Sequence, residues 1–221
     1  MTSNIYENIA MRFGLSPTQL KIIELVGRNK EILEIGSATG YMTKQFVKNG
    51  CVVDVVEIDG TAAAKIKRLA RKIIRDSIEN PAVFKKLNNS YDFIIMADVL
   101  EHLINPEQVL KRLLKIAAPH TKLLISLPNI ASWTARKQLF FKGDFEYQDS
   151  GLLDKTHLHF YTVNTLPKVL SENGWKVLRI IGTITRLPFD KFISKIPFLR
   201  QKLVEKYKNL SYYHFLTIAH K

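Results

Sequence analysis

The stretch Glu31-Ile-Leu-Glu-Ile-Gly-Ser-Ala-Thr-Gly40, continued by Tyr41–Asn49 and then by Val52-Val-Asp-Val-Val-Glu-Ile58, decides the fold. Its first five residues read as a short strand that breaks at Gly36. Two glycines, Gly36 and Gly40, let the backbone turn tightly and approach a ligand without a Cβ in the way. Tyr41–Asn49 then reads as a helix closed by Gly50. The following run is nearly continuous in β-branched apolar residues, as a strand covered on both faces requires. Strand, glycine turn, helix and strand make a βαβ unit, whose two strands lie parallel with a right-handed crossover.

The alternation repeats outward. Ser16-Pro17 reads as a capped helix start before the first strand, with Leu20, Ile23, Leu25 and Val26 on its apolar face. Downstream come a helix over Thr61–Arg71, a strand over Lys72–Arg75, a short helix over Pro81–Leu87 and a strand over Tyr91–Ala97. Asn105-Pro106 opens a helix to about Ala117, and Lys122–Ser126 is the next strand. Residues 129–162 interrupt the pattern, with a helix over Ser132–Phe141, and read as a cap inserted over the sheet edge. A helix over Thr165–Asn173, a strand over Lys176–Ile181 and a final antiparallel strand over Tyr212–Ala219 complete the chain. The expectation is an α/β, doubly wound, Rossmann-like sheet of seven strands, mostly parallel, with helices on both faces and an antiparallel last strand.

With 221 residues and 46% hydrophobic content the chain reads as a single domain over 1–221 with an ample core. Cys51 is the one cysteine, which excludes an internal disulfide framework and a cysteine-based zinc site. The sequence lacks the roughly 18 consecutive apolar residues of a membrane span. Met1–Asn8 lacks the layout of a signal peptide, so the expected compartment is the cytoplasm. A net charge of +13 favours anionic partners. Part of it is concentrated in residues 186–208, a basic amphipathic segment of net charge +5 carrying Phe189, Phe192, Phe198 and Leu199. Such a segment suits peripheral contact with a membrane surface or a phosphate-bearing carrier.

In an open parallel sheet the ligand lies beyond the carboxyl ends of the strands. Glu57 follows Gly36 by 21 residues, close to the offset of a ribose-binding carboxylate. A dinucleotide fingerprint would need glycines where Ala38 and Tyr41 stand, and a phosphate-binding loop would need a lysine that is missing.

These residues together resemble the class I S-adenosylmethionine-dependent methyltransferases, over about residues 15–181. Glu34-x-Gly36-Ser37-Ala38-x-Gly40 is similar to their first motif, with Ala38 in place of the commoner glycine. The resemblance implies S-adenosylmethionine as cofactor. It implies Glu57 and Ile58 at the ribose and adenine, Asp76 and Ser77 near the adenine amino group, and Ala97 and Asp98 along the methionine portion. A narrower similarity, to the type 11/12-like branch of polysaccharide-associated and quinone O-methyltransferases, rests on Asp98-Val-Leu-Glu101-His102, Ser126-Leu-Pro-Asn129 and Gly151-Leu-Leu-Asp154-Lys-Thr-His157-Leu-His159. It implies a small-molecule or saccharide acceptor, in some cases lipid-linked.

Methyl transfer to a hydroxyl needs a base, and histidine is the side chain suited to it near neutral pH. His102, His157 and His159 are the candidates, with His102 and His157 preferred. Structural roles compete: His102 as a packing or capping residue, and the other two as anchors of the cap. Asp98, Glu101, His102 and His157 also form a possible oxygen and nitrogen ligand set for a divalent cation, as in metal-dependent small-RNA and some quinone methyltransferases. The aromatic residues of 129–162 suit cap packing better than ligand stacking. Lys65–Arg75 reads as the exposed face of an outer helix away from the cleft. The competing functions are an RNA methyltransferase, which an appended RNA-binding module would have favoured, and a cofactor-binding subunit without turnover.

Overall fold

The structure is a computed structural model that describes residues 14–88, 90–184 and 197–221. Helix α1 (Pro17–Val26) starts from a reciprocal cap. The Ser16 hydroxyl accepts from the Gln19 amide at 3.2 Å and the Ser16 amide donates to the Gln19 side chain at 2.9 Å. Then follow β1 (Glu31–Ile35), α2 (Tyr41–Lys48), β2 (Val52–Val56), α3 (Gly60–Lys65), β3 (Lys72–Ile74), α4 (Pro81–Phe84), β4 (Phe93–Ala97), a single 3₁₀ turn at Leu100–His102 and α5 (Pro106–Ile116). The second half holds β5 (Lys122–Pro128), α6 (Trp133–Lys142), α7 (Thr165–Glu172), β6 (Lys176–Ile184), α8 (Pro197–Lys206), α9 (Lys208–Ser211) and β7 (Tyr212–His220).

The seven strands form one sheet in the order β3-β2-β1-β4-β5-β7-β6. The pairs from β3 to β5 are parallel, and β7 runs antiparallel between β5 and β6. The expected architecture is therefore present, with the last strand inserted rather than added at the edge. Successive residues of the central strands face opposite layers. Leu33, Ile35, Ile94 and Met96 join a core with α5 and α7, whereas Ile32, Phe93 and Ile95 join one with α1 and α2. Burial on both faces accounts for the near-continuous apolar runs.

One expected element is much shorter than its pattern. The helix read over Thr61–Arg71 ends at Lys65, because Arg71 turns inward. Its guanidinium donates two bonds of 2.9 Å to the buried carboxylate of Asp54 in β2 and pairs with Glu31 at 2.7 Å. Tyr91 donates to the same carboxylate at 2.8 Å. A buried carboxylate without such partners is costly, so the Asp54 requirement overrides helix propensity here. Lys65–Arg75 is therefore partly a structural clamp rather than one exposed helical face.

The basic segment expected at 186–208 lies outside the described residues up to residue 196. From Pro197 it forms α8 and α9, with Phe198 and Leu199 exposed. Among the described residues no helix is long and apolar enough to cross a membrane.

Candidate functional site

The order of strands reverses between β1 and β4, and the loops after them lie against one another. Gly36, at φ 72°, leaves the space that the Val99 side chain occupies, so any Cβ there would collide with it. Gly40, at φ 80°, begins α2 and leaves room for the buried Ile66 side chain. Ala38 adopts φ 47° between them, a left-handed conformation that L residues adopt at a cost of about 1 kcal/mol. Gly40→Ala combines backbone strain with a clash. It is expected to lower stability by about 2 kcal/mol, read as a reduced urea midpoint with unchanged slope.

The buried Glu57 carboxylate joins this loop to the one after β2. One oxygen accepts from the Ala38 amide at 2.8 Å and lies 3.5 Å from the Ser37 hydroxyl, and the other accepts from the Asp59 amide at 2.9 Å. A carboxylate offers about four acceptor positions, so capacity remains for hydroxyl donors. A cavity of about 360 Å³ adjoins it, lined among others by Gly36, Ala38, Glu57, Ile58, Asp76, Ser77, Asp98, Val99, His102 and Thr156. Ile58 lines it while 72% exposed, an apolar surface open to a planar ring. Asp76 is fixed by the Ser77 amide and the Asn80 side chain, each at 2.8 Å. Retained acceptor capacity at Glu57 beside an uncovered Ile58 fits an adenosyl group. A larger hollow of about 840 Å³ lies along the outer strand β6 beside α8, away from this strand-order switch.

Of the expected cofactor residues, Glu34, Ser37, Gly40 and Ala97 do not line the cavity. Ser37 and Gly40 shape its loop. Glu34 is fully buried beneath it, accepting from the Thr43 hydroxyl at 2.6 Å with its other oxygen unpartnered. Burial pushes its carboxyl up to about 7, Thr43 opposing and Glu57 reinforcing the rise. The folded protein thus keeps a proton that the unfolded chain loses near 4.5. Stability from this group is complete below 4.5 and is lost as pH rises through about 7, a change of about 3 kcal/mol. Between about pH 5.5 and pH 8.5 urea stability should therefore fall less in Glu34→Gln than in the unsubstituted protein.

On the other flank of the cavity, the 3₁₀ turn after β4 sets Glu101 and His102 against the segment 154–159. The Leu158 and His159 amides both donate to the Glu101 carbonyl, at 2.8 and 3.1 Å. His102 and His157 meet edge to face with ring centroids 4.8 Å apart. The Thr156 hydroxyl donates to the Asp154 carboxylate at 2.7 Å, so toward His102 Nδ1 Thr156 presents acceptors: its hydroxyl oxygen and its carbonyl, both at 3.1 Å. Nδ1 is therefore placed to donate, and in the neutral ring that arrangement leaves Nε2 as the acceptor. His157 is buried and does not line the cavity. Burial lowers its pKa, and the neighbouring His102 adds to the effect.

Glu101, His102 and His157 each offer a ligand atom, all within 4.8 Å of one another. Both Glu101 carboxylate oxygens are buried without a hydrogen-bond partner, His157 Nε2 standing 4.0 Å from one of them, and burial, with Asp98 nearby, holds its pKa well above the ordinary range. Of the four ligands expected from sequence, His157 joins Glu101 and His102 as expected and Asp98 does not. Asp98 sits at φ 56°, outside any helix, and turns to β7, with one carboxylate oxygen 2.6 Å from His214 Nε2 and 3.3 Å from the Ser126 hydroxyl. Spacing alone put Asp98 on the face of Glu101 and His102, but the left-handed residue breaks that periodicity.

Sequence reasoning passed over three residues of this site. Thr156 and Asp154 stand inside the quoted cap motif, and a hydroxyl next to a histidine was the available signal. His214 lies 116 residues from Asp98, and nothing in its local sequence marks it.

The sequence profile of a family described as "Methyltransferase domain" matches residues 17–180. A Coxiella burnetii protein named ubiquinone biosynthesis O-methyltransferase is 24% identical over 175 residues, covering 76% of this chain and 74% of that one. The fold is similar to a SAM-dependent methyltransferase from Archaeoglobus fulgidus, with a TM-score of 0.68 at 15% identity over 98% of this chain and 99% of the other. It is similar also to a Thermotoga maritima SAM-dependent methyltransferase described as a possible histamine N-methyltransferase, with a TM-score of 0.67 at 16% identity over 99% and 95%. With the family profile spanning most of its length and a cavity lined by Glu57 and Ile58 at the strand-order switch, this chain belongs to the S-adenosylmethionine-dependent methyltransferases.

Proposed function

We propose that the enzyme O-methylates a hydroxyl of a small-molecule or saccharide acceptor, with His102 as the base. The observation that carries this reading is the pair of Thr156 oxygens that face His102 Nδ1 at 3.1 Å. Asp154 orients Thr156, Thr156 holds the Nδ1 proton, and the basic Nε2 belongs to a residue of the cofactor cavity. When bound, S-adenosylmethionine supplies an electrophilic methyl group on a sulfonium sulfur. The chain's part is to align the acceptor oxygen in line with that group and to take its proton. Glu57 and Ile58 hold the adenosyl end, Asp76 and Ser77 the adenine edge, and Asp98 the methionine end. The likeness to an O-methyltransferase of ubiquinone biosynthesis supports oxygen as the acceptor atom.

A second reading is favoured by the buried Glu101 carboxylate, which has no hydrogen-bond partner and faces His157 at 4.0 Å. Glu101, His102 and His157 would then hold a divalent cation, which lowers the pKa of a bound hydroxyl. Radiolabelled methyl transfer to phenolic, catecholic and saccharide panels, with products assigned by NMR, tests the main reading. A methoxy product is expected, and methyl found on nitrogen alone would sink it. Metal analysis of the purified protein and turnover with chelator separate the two readings. Stoichiometric metal and chelator-sensitive turnover favour the cation.

A further inference from the structure

We infer that the rim of the cofactor cleft docks on an anionic lipid bilayer, with the end of α6 as its apolar anchor. It deepens the proposed function, since the acceptor would then enter from the membrane, but the docking itself rests on the surface and not on that reading.

Part of the exposed apolar surface lies on segments that border the cleft, and Phe145, just beyond α6, meets Phe160, whose ring in turn meets that of His157. Phe140 and Phe141, at the end of α6, are 83% and 67% exposed and contact each other edge to face at 5.0 Å. Ile104, two residues beyond His102, is 70% exposed. Leu158, whose amide donates to the Glu101 carbonyl, is 57% exposed. These segments follow the carboxyl ends of β4 and β5 or pack over them. Helix α8 leads to the same end of the sheet, because β7 starts where β5 finishes, with His214 opposite Pro128. The Asn129 amide ties the two regions by donating to the carbonyls of Asn209 and Tyr212, at 2.9 and 2.7 Å. Apolar surface gathered in this way marks an interaction site.

Charge identifies the occupant. Helix α6 carries Arg136, Lys137 and Lys142 with no acidic residue, and α8 carries Arg200, Lys202 and Lys206 with Glu205. Asp144 and Glu146 follow only beyond Gly143. With the chain at +13, this face attracts an anionic surface and repels a second copy of itself. Nucleic acid would share the charge preference, but Leu139, Ile104 and Leu158 have no ring to stack on a base. Acyl chains accept aliphatic and aromatic side chains alike, while lysine and arginine reach the headgroups.

The test is co-sedimentation of the full chain with phosphatidylcholine vesicles, with and without phosphatidylglycerol. Binding to the anionic vesicles is expected, weakening with added salt, and partitioning should fall at least ~10-fold in the Phe140→Ser/Phe141→Ser double variant. That variant should keep its affinity for S-adenosylhomocysteine. Absence of vesicle binding in the unsubstituted chain overturns the inference, as does unaltered binding by the double variant. So does an effect of the double substitution confined to dimer dissociation or to RNA retention. His102→Ala should still bind vesicles. Vesicle binding intact in a chain that methylates no hydroxyl would refute the acceptor reading and leave the docking in place.

Discussion

Replacing Glu57 by alanine is expected to weaken S-adenosylhomocysteine binding about 10³-fold, measured by titration calorimetry. The side chain does two things at once. It fixes the loop after β1 through the Ala38 amide and the loop after β2 through the Asp59 amide. It also retains acceptor positions for the two ribose hydroxyls. Hydrogen bonds to a charged group contribute about 1.5–3 kcal/mol each, so losing two of them already approaches the predicted effect. The orphaned amides then relax the loop. Glu57→Gln separates the contributions, because an amide still accepts on one side but places an NH₂ group against a backbone donor. Its loss should be nearly as large. Binding within ~3-fold of the unsubstituted protein in both variants would show that the adenosyl group lies elsewhere.

The second large effect belongs to His102. His102→Ala should lower kcat about 10³-fold with S-adenosylhomocysteine affinity nearly unchanged, the span that a positioned general base contributes. The affinity measurement matters because His102 also lines the cavity. A parallel loss of binding would make it a wall of the cleft instead. Metal content decides between the two roles considered for it. If the variant loses a cation along with turnover, the histidine acts as a ligand. If metal is absent throughout and turnover still falls, it acts as the base. Product analysis on the residual activity should show the methyl on the same oxygen.

How much of this was legible in the chain can be judged residue by residue. The glycine turn at Gly36–Gly40, the apolar run of β2 and the acidic residue ending it are local patterns, and each folds as its spacing dictates. Local hydrogen bonding is also why the Ser16 cap could be read directly. The Thr61–Arg71 helix failed because a requirement from outside the segment, the buried Asp54, claimed Arg71. Asp98 failed for a similar reason. Helical spacing described Glu101 and His102 but not a left-handed residue drawn to His214 across the sheet.

The sequence by itself determined the alternation of strands and helices, hence a parallel sheet with a ligand cleft at its carboxyl edge, because periodicity and crossover handedness act over short stretches of chain. Tertiary structure alone decided which polar groups share that cleft. It inserted β7 between β5 and β6, set His214 on Asp98, and brought Thr156 against His102 Nδ1. Those contacts join residues 54 to 116 positions apart. Their partners are chosen by strand order and by the cost of leaving buried polar groups unpaired, neither of which is written in the neighbouring residues.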